Sequence, residues 1–148
     1  MLRDIDSLLK AAAEPTRLRI LNLLRLGRVC VCDLQLGLGI PQPTVSRHLA
    51  TLRHVGLVVD QRQGNRTLYS LVPATTPQLK ALRQLVETCS TTEEVLQNDL
   101  RQLAEALKQG QCMVSEPTSK RENRLMRRMK PFPVTPKEGD GERKGQMP

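Results

Sequence analysis

The sequence predicts a mainly helical chain carrying one small β-hairpin, an α+β class. Three observations point there. One Phe, one Tyr and no Trp among 148 residues leave Leu, Ile, Val and Ala to build the core, and aliphatic side chains suit helix-on-helix packing. Apolar residues recur at helical spacing in several segments set apart by Gly or Pro. One pair of strand-like runs lies mid-chain around Gly64-Asn65.

The elements follow in order. Ile5, Leu8, Leu9 and Ala12 mark a short amphipathic helix over residues 4–12. Pro15 then suits a helix's first turn, where its missing N–H costs nothing, and Leu18, Leu21 and Leu24 form the stripe of a second helix closed by Gly27. Val31 to Leu38 reads as a short helix stopped by Gly39, and 44–55 as a fresh one with Val45, Leu49 and Leu52 facing inward and Gly56 as its stop. Two short helices joined by a few turn residues make a helix-turn-helix. Residues 57–62 and 66–72 are rich in strand formers, and the Gly64-Asn65 step between them suits a tight hairpin. That hairpin stands directly after the second helix of the pair, where a wing sits. Leu79, Leu82, Leu85 and Val86 mark a helix over 77–88, followed by Cys89. Leu96, Leu100, Leu103 and Leu107 mark another over 92–108 with near-heptad spacing that suits a partner helix. Residues 1–110 thus read as one domain. Residues 111–148, with Pro117, Pro131, Pro133, Pro136 and Pro148 among scattered charges, read as a basic disordered tail in which 120–130 form a transient helix at most.

The formal net charge is +8: residues 1–112 hold 14 Lys/Arg against 10 Asp/Glu, and 113–148 hold 9 against 5, so each part is +4. Such a balance suits a polyanionic partner. Met1 to Lys10 lacks the positive start and long apolar run of a signal peptide, and no stretch nears the ~18 apolar residues of a membrane span. The expectation is a cytoplasmic protein whose four cysteines are thiols. No paired carboxylates, Ser-His-Asp set, nucleotide loop or C-x-x-C motif is present, so no catalysis is expected.

In the helix-turn-helix reading, Thr44, Ser46, Arg47 and His48 bring polar tips to the major groove, with Gln42 at the helix threshold. Arg62 and Arg66 flank the hairpin tip and suit phosphates or the minor groove. The bland alternative is an ordinary solvated polar face.

Cys30-Val31-Cys32 lacks zinc-ribbon spacing. On a regular helix thiols at i and i+2 diverge by roughly 200°, whereas an extended segment puts them on one face. One ion can bridge them only where the chain leaves helical geometry, and they stand where the third helix begins. A helix N-terminus and nearby Arg28 both favour thiolate. The spacing alone equally allows two small buried hydrophobes.

Four stretches in register settle more than spacing does: Pro15-Thr16-Arg17-Leu18-Arg19-Ile20-Leu21, Val29-Cys30-Val31-Cys32-Asp33-Leu34, Pro43-Thr44-Val45-Ser46-Arg47-His48-Leu49 and Leu52-Arg53-His54-Val55-Gly56-Leu57-Val58. Together with the wing segment 62–69 they closely resemble the arsenical-resistance repressors of the ArsR/SmtB family over about residues 5–73. The resemblance implies a homodimeric winged helix-turn-helix repressor, joined through its N- and C-terminal helices, that leaves double-stranded operator DNA when an inducer binds. It implies a recognition helix over 43–55 with Ser46, Arg47 and His48 on DNA, and As(III) or Sb(III) held by Cys30 and Cys32. The third helix, expected directly behind the recognition helix, would couple the two sites.

The chain departs from the pattern twice. Pro41 stands where family members often carry Ser, leaving Gln42 or water to cap the recognition helix at a cost of about 1 kcal/mol. Gln35 stands where a third thiol is expected, so the site is either two-coordinate, which suits an organoarsenical, or completed by Cys89 or Cys112. Residues 77–108 hold no His for a zinc site of the related sensors, and no thiol precedes Cys30 for the Cd(II)/Pb(II) kind. A Cd(II)/Pb(II)-responsive repressor and a thiol redox switch are the alternatives.

Overall fold

A computed structural model describes residues 2–109. Cys112, the basic tail and the transient helix expected over 120–130 lie outside the described residues. Among the described residues six helices and three short strands run in the order α1 (Leu2–Ala12), α2 (Pro15–Leu24), β1 (Val29–Cys30), α3 (Val31–Leu38), α4 (Gln42–His54), β2 (Val58–Gln63), β3 (Arg66–Leu71), α5 (Pro77–Thr92) and α6 (Glu94–Gln109).

Local signals place most boundaries. Pro15 and Pro77 open α2 and α5, and each helix start is closed by the preceding side chain: Glu14 Oε2 accepts from Arg17 N–H at 2.7 Å, and Thr76 Oγ1 from Leu79 N–H at 3.3 Å. Gly39 ends α3 in the left-handed region, φ 66°, its N–H on the Gln35 carbonyl. α4 ends in a Schellman motif around Gly56, φ 78°: Leu57 N–H reaches the Leu52 carbonyl at 3.0 Å and Gly56 N–H the Arg53 carbonyl at 3.1 Å.

α4 begins one residue beyond Pro41, which is its N-cap and offers no capping side chain. The expected deficit is softened by Pro43, which has no N–H to satisfy, while the Thr44 and Val45 amides both reach the Pro41 carbonyl, at 3.0 and 3.2 Å.

The sheet order is β1-β3-β2, antiparallel throughout. β2 and β3 form the expected hairpin, with Gln63 opposite Arg66 and a two-residue turn in which Gly64 has φ 63°. β1 was not foreseen. It is two residues long and pairs Val29 with Tyr69 and Cys30 with Leu68.

Further along, α5 extends to Thr92, so Cys89 lies within it rather than after it, and Glu93 alone separates α5 from α6. α3 does pack against α4, but its larger contact is with α6. Gly37 is what lets them approach: a Cβ there would stand 3.1 Å from Leu103 Cβ and 3.3 Å from Leu23 Cδ1. Ile20, Leu23, Leu34, Val45, Leu49, Leu52 and Leu103, all fully buried, form the centre of the core between these helices.

Candidate functional site

The polar face of α4 follows from its inward stripe. Burial of Val45, Leu49 and Leu52 leaves Gln42 and Arg47 exposed and Thr44, Ser46 and His48 half-buried. His48 turns toward the start of α2, where its Nδ1 lies 3.6 Å from Glu14 Oε2 and 3.5 Å from Arg17 Nη1. Arg17 in turn donates from Nε to the Ala11 carbonyl at 2.6 Å and from Nη2 to that of Lys10 at 3.4 Å, capping the end of α1. One small polar cluster therefore ties α4 to α1 and α2. Desolvation pushes the Glu14 carboxyl up. The backbone N–H groups of Arg17 and Thr16, with the nearby His48, outweigh it and hold the group below its ordinary value of 4.5.

On the hairpin, Arg62 lies opposite Thr67 and Arg66 opposite Gln63. Alternation along a strand therefore puts the two arginines on opposite faces of the ribbon near its tip. Arg62 is exposed and Arg66 half-buried. At the base, Arg53 at the end of α4 meets Asp60 of β2 at 3.1 Å, which braces the wing against the helix.

The cysteines are unlike each other. Cys30 is the last residue of β1 and the N-cap of α3, in an extended conformation (φ −81°, ψ 159°), so the chain does leave helical geometry there. Its side chain is buried, 2% exposed, and Sγ donates to Asp33 Oδ2 at 3.1 Å. Cys32, in the first turn of α3, is exposed. Asp33 is itself buried and was not among the expected site residues. The signal available for it was its place three residues after an N-cap, the spacing of a capping box. Cys89 is half-buried on α5. Among the described residues no three of the His, Cys, Asp and Glu side chains gather into a metal cage. The donor set at the β1–α3 joint is two soft thiols with one carboxylate beside the inner one, which suits a soft ion chemically. In this conformation the inner thiol is engaged with Asp33 and the outer one is open to solvent.

A helix pair crossing one core, with a three-stranded sheet whose β2–β3 hairpin follows the second helix, defines a winged helix-turn-helix protein. Residues 14–59 match the family model described as bacterial regulatory protein, arsR family. The chain is 38% identical over 97 residues to the arsenic resistance transcriptional regulator ArsR1 of Pseudomonas putida, covering 65% of this chain and 74% of that protein. It is 51% identical over 67 residues to the arsenical resistance operon repressor of Escherichia coli, covering 45% of this chain and 57% of the relative. It is 44% identical over 76 residues to the HTH-type transcriptional regulator NmtR of Mycobacterium tuberculosis, covering 51% of this chain and 63% of the relative. Reduced HlyU from Vibrio cholerae superposes with a TM-score of 0.53 at 30% identity, over 62% of this chain and 90% of that one. This chain belongs to the arsR family. These relatives are transcriptional regulators rather than enzymes, in line with the absence of catalysis expected from the sequence. No helix among the described residues is long and apolar enough to cross a membrane.

Proposed function

We propose that this protein is a cytoplasmic, homodimeric repressor of an arsenical or antimonial resistance operon. It grips double-stranded operator DNA through α4 and the wing, and lets go when As(III), Sb(III) or an organoarsenical is bonded by Cys30 and Cys32. The observation that carries the reading is the position of the thiol pair. It stands at the joint between a strand paired to the wing and the first helix of the helix-turn-helix. The arsenical-resistance relatives support the inducer class.

Gln42, Thr44, Ser46 and Arg47 offer the groove-facing donors, and Arg62 and Arg66 the phosphate contacts. His48 contributes through the α1–α2–α4 cluster as well as at the DNA face. Leu9 on α1, Leu85 on α5 and Val95 on α6 are each more than half exposed, at 59%, 56% and 57%. Apolar exposure of that kind on the N- and C-terminal helices favours their pairing with a second copy. Gln35 supplies no thiol, which leaves Cys89, Cys112 or nothing as the third donor.

A second reading is favoured by Asp33. A carboxylate beside Cys30 is a harder donor than As(III) prefers and would suit Cd(II) or Pb(II). Operator binding measured in excess thiol, with and without As(III), Sb(III), methylarsenite, Cd(II) and Zn(II), separates the two. Release by the trivalent metalloids alone, lost in Cys30→Ser and Cys32→Ser, is the expected result. Release only by divalent ions moves the assignment to the second reading. Release by peroxide, reversed by dithiol, with no response to any ion, would instead make the pair a redox switch.

A further inference from the structure

The two thiols differ in access and in what each is attached to. Cys32 faces solvent from the first turn of α3, while Cys30 is buried, bonded to Asp33, and held by its backbone opposite Leu68 in β3. Resting on the reading of this pair as the inducer site, we infer that Cys32 is the capture thiol and Cys30 the trigger thiol, and that the trigger acts by pulling β1 off the wing strand β3.

An arsenical arriving from solvent meets Cys32 first. That step forms one S–As bond and breaks one As–OH bond. The thiol proton leaves with the hydroxide as water, and arsenic stays trivalent. The tethered arsenical then presents its next hydroxyl to Cys30 at the high effective concentration of an intramolecular partner. The same exchange yields a second S–As bond and a second water.

For that second bond to form, the Cys30 side chain must leave Asp33 and turn toward Cys32, and either α3 or β1 must give way. The first turn of α3 is anchored by buried Asp33 and by Leu34, which is fully buried in the core. β1 pairs with β3 through two residues, Val29 with Tyr69 and Cys30 with Leu68, and sends one aliphatic side chain, Val29, into the core, against a helix of eight residues on the other side. The strand is the weaker partner. Its loss leaves β2 and β3 as a two-stranded ribbon anchored at its base, by Val58 in the core and by Arg53 on Asp60, with a tip that a third strand no longer stiffens. Arg62 and Arg66 then lose their fixed placement.

The test uses the full chain. In a pulse of N-ethylmaleimide read by peptide mass spectrometry, Cys32 is expected to be alkylated at least about tenfold faster than Cys30, as its exposure dictates. With methylarsenite bound, backbone amide exchange read by NMR should accelerate at least about tenfold at residues 29–30 and 68–69, while 45–52 stay protected. In Cys30→Ser and, as a check on folding, Cys30→Ala, methylarsenite on Cys32 alone should leave exchange at 68–69 unchanged. Equal alkylation of the two thiols, or acceleration confined to α4 with the ladder intact, overturns the inference while bound methylarsenite still supports the inducer site. No methylarsenite on either cysteine by mass spectrometry overturns both.

Discussion

Arg19 and Asp99, 80 positions apart in the chain, meet through two parallel hydrogen bonds of 2.7 Å, Nε to Oδ2 and Nη2 to Oδ1. Nη2 also reaches the Leu38 carbonyl at 3.0 Å, so one guanidinium joins α2, the end of α3 and α6. The carboxylate, acting first by hydrogen bonding, holds the guanidinium above its ordinary value. The Asp99 side chain is 1% exposed and that of Arg19 is 25% exposed, so the two deletions are not equivalent. Arg19→Ala strands a buried carboxylate and should cost about 3–5 kcal/mol. Asp99→Ala leaves a cation that can turn to water and keep the Leu38 carbonyl, and should cost about 1–3 kcal/mol. Urea unfolding of both variants checks the order, and equal losses would contradict it.

Acid should weaken the joint between α1, α2 and α4. The Glu14 carboxyl titrates below its ordinary value when folded, so the unfolded chain takes up its proton first as pH falls. Its stabilisation is complete above about pH 4.5 and is lost as pH drops through the lower folded value. At neutral pH Glu14→Gln is expected to unfold more easily than the parent by about 0.5–1 kcal/mol, the size of a helix cap. That gap should close toward pH 3, as melting curves across the range would show.

Two glycines two residues apart should respond to alanine for different reasons. At Gly37 the gain in helix propensity, about 1 kcal/mol, is opposed by overpacking of about 1–3 kcal/mol. The nearest obstacle is Leu103 Cβ, close to the α6 backbone and unable to swing away. At Gly39 nothing lies within 4 Å, and only φ 66° resists a side chain, at about 1–2 kcal/mol. Gly39→Asn should therefore recover part of the Gly39→Ala loss, whereas Gly37→Asn should be worse than Gly37→Ala. Denaturant midpoints decide it.

On operator DNA Arg47 and Arg62, both exposed, should behave differently. Arg62→Ala, on the wing, is expected to weaken all sequences alike and to reduce the salt slope by about one. Arg47→Ala, on α4, should cost about 1–3 kcal/mol mainly on the specific site. Binding isotherms at several salt concentrations, on operator and scrambled duplexes, distinguish them. An Arg47 loss identical on both duplexes would place Arg47 on phosphate instead.

Much of this was legible from periodicity and punctuation. Leu18, Val45, Leu49 and Leu52 marked their helices, and Pro15, Gly39, Gly56 and Gly64 marked their ends, because those signals are local. β1 was not legible. Two residues carry no period, and Val29-Cys30 is a strand only because β3 comes back beside it from positions 68 and 69. For the same reason the sequence could say that the two thiols would diverge on a helix but not which one the core would take. His48 read as a groove-facing tip because Ser46 and Arg47 beside it read the same way. Its turn toward Glu14 and Arg17 depends on how α2 crosses α4, which no local pattern encodes. The pairing of Arg19 with Asp99 was likewise invisible across most of the domain.

The dependence of α3 on α6 has a bearing on how the protein is made. The helix carrying Cys32 has its largest contact with the last helix described, and Asn22 and Arg19 both wait for that same helix, through the Leu96 carbonyl and Asp99. During synthesis the ribosome must deliver α6 before the inner face of α3 can complete its burial. Nascent chains would thus pass through a stage in which both cysteines of the pair are open to the surrounding milieu. Such long-range closure slows folding relative to a bundle of sequential neighbours. The contrast between a buried Cys30 and an exposed Cys32 is therefore a property of the finished fold, absent from the chain that precedes it.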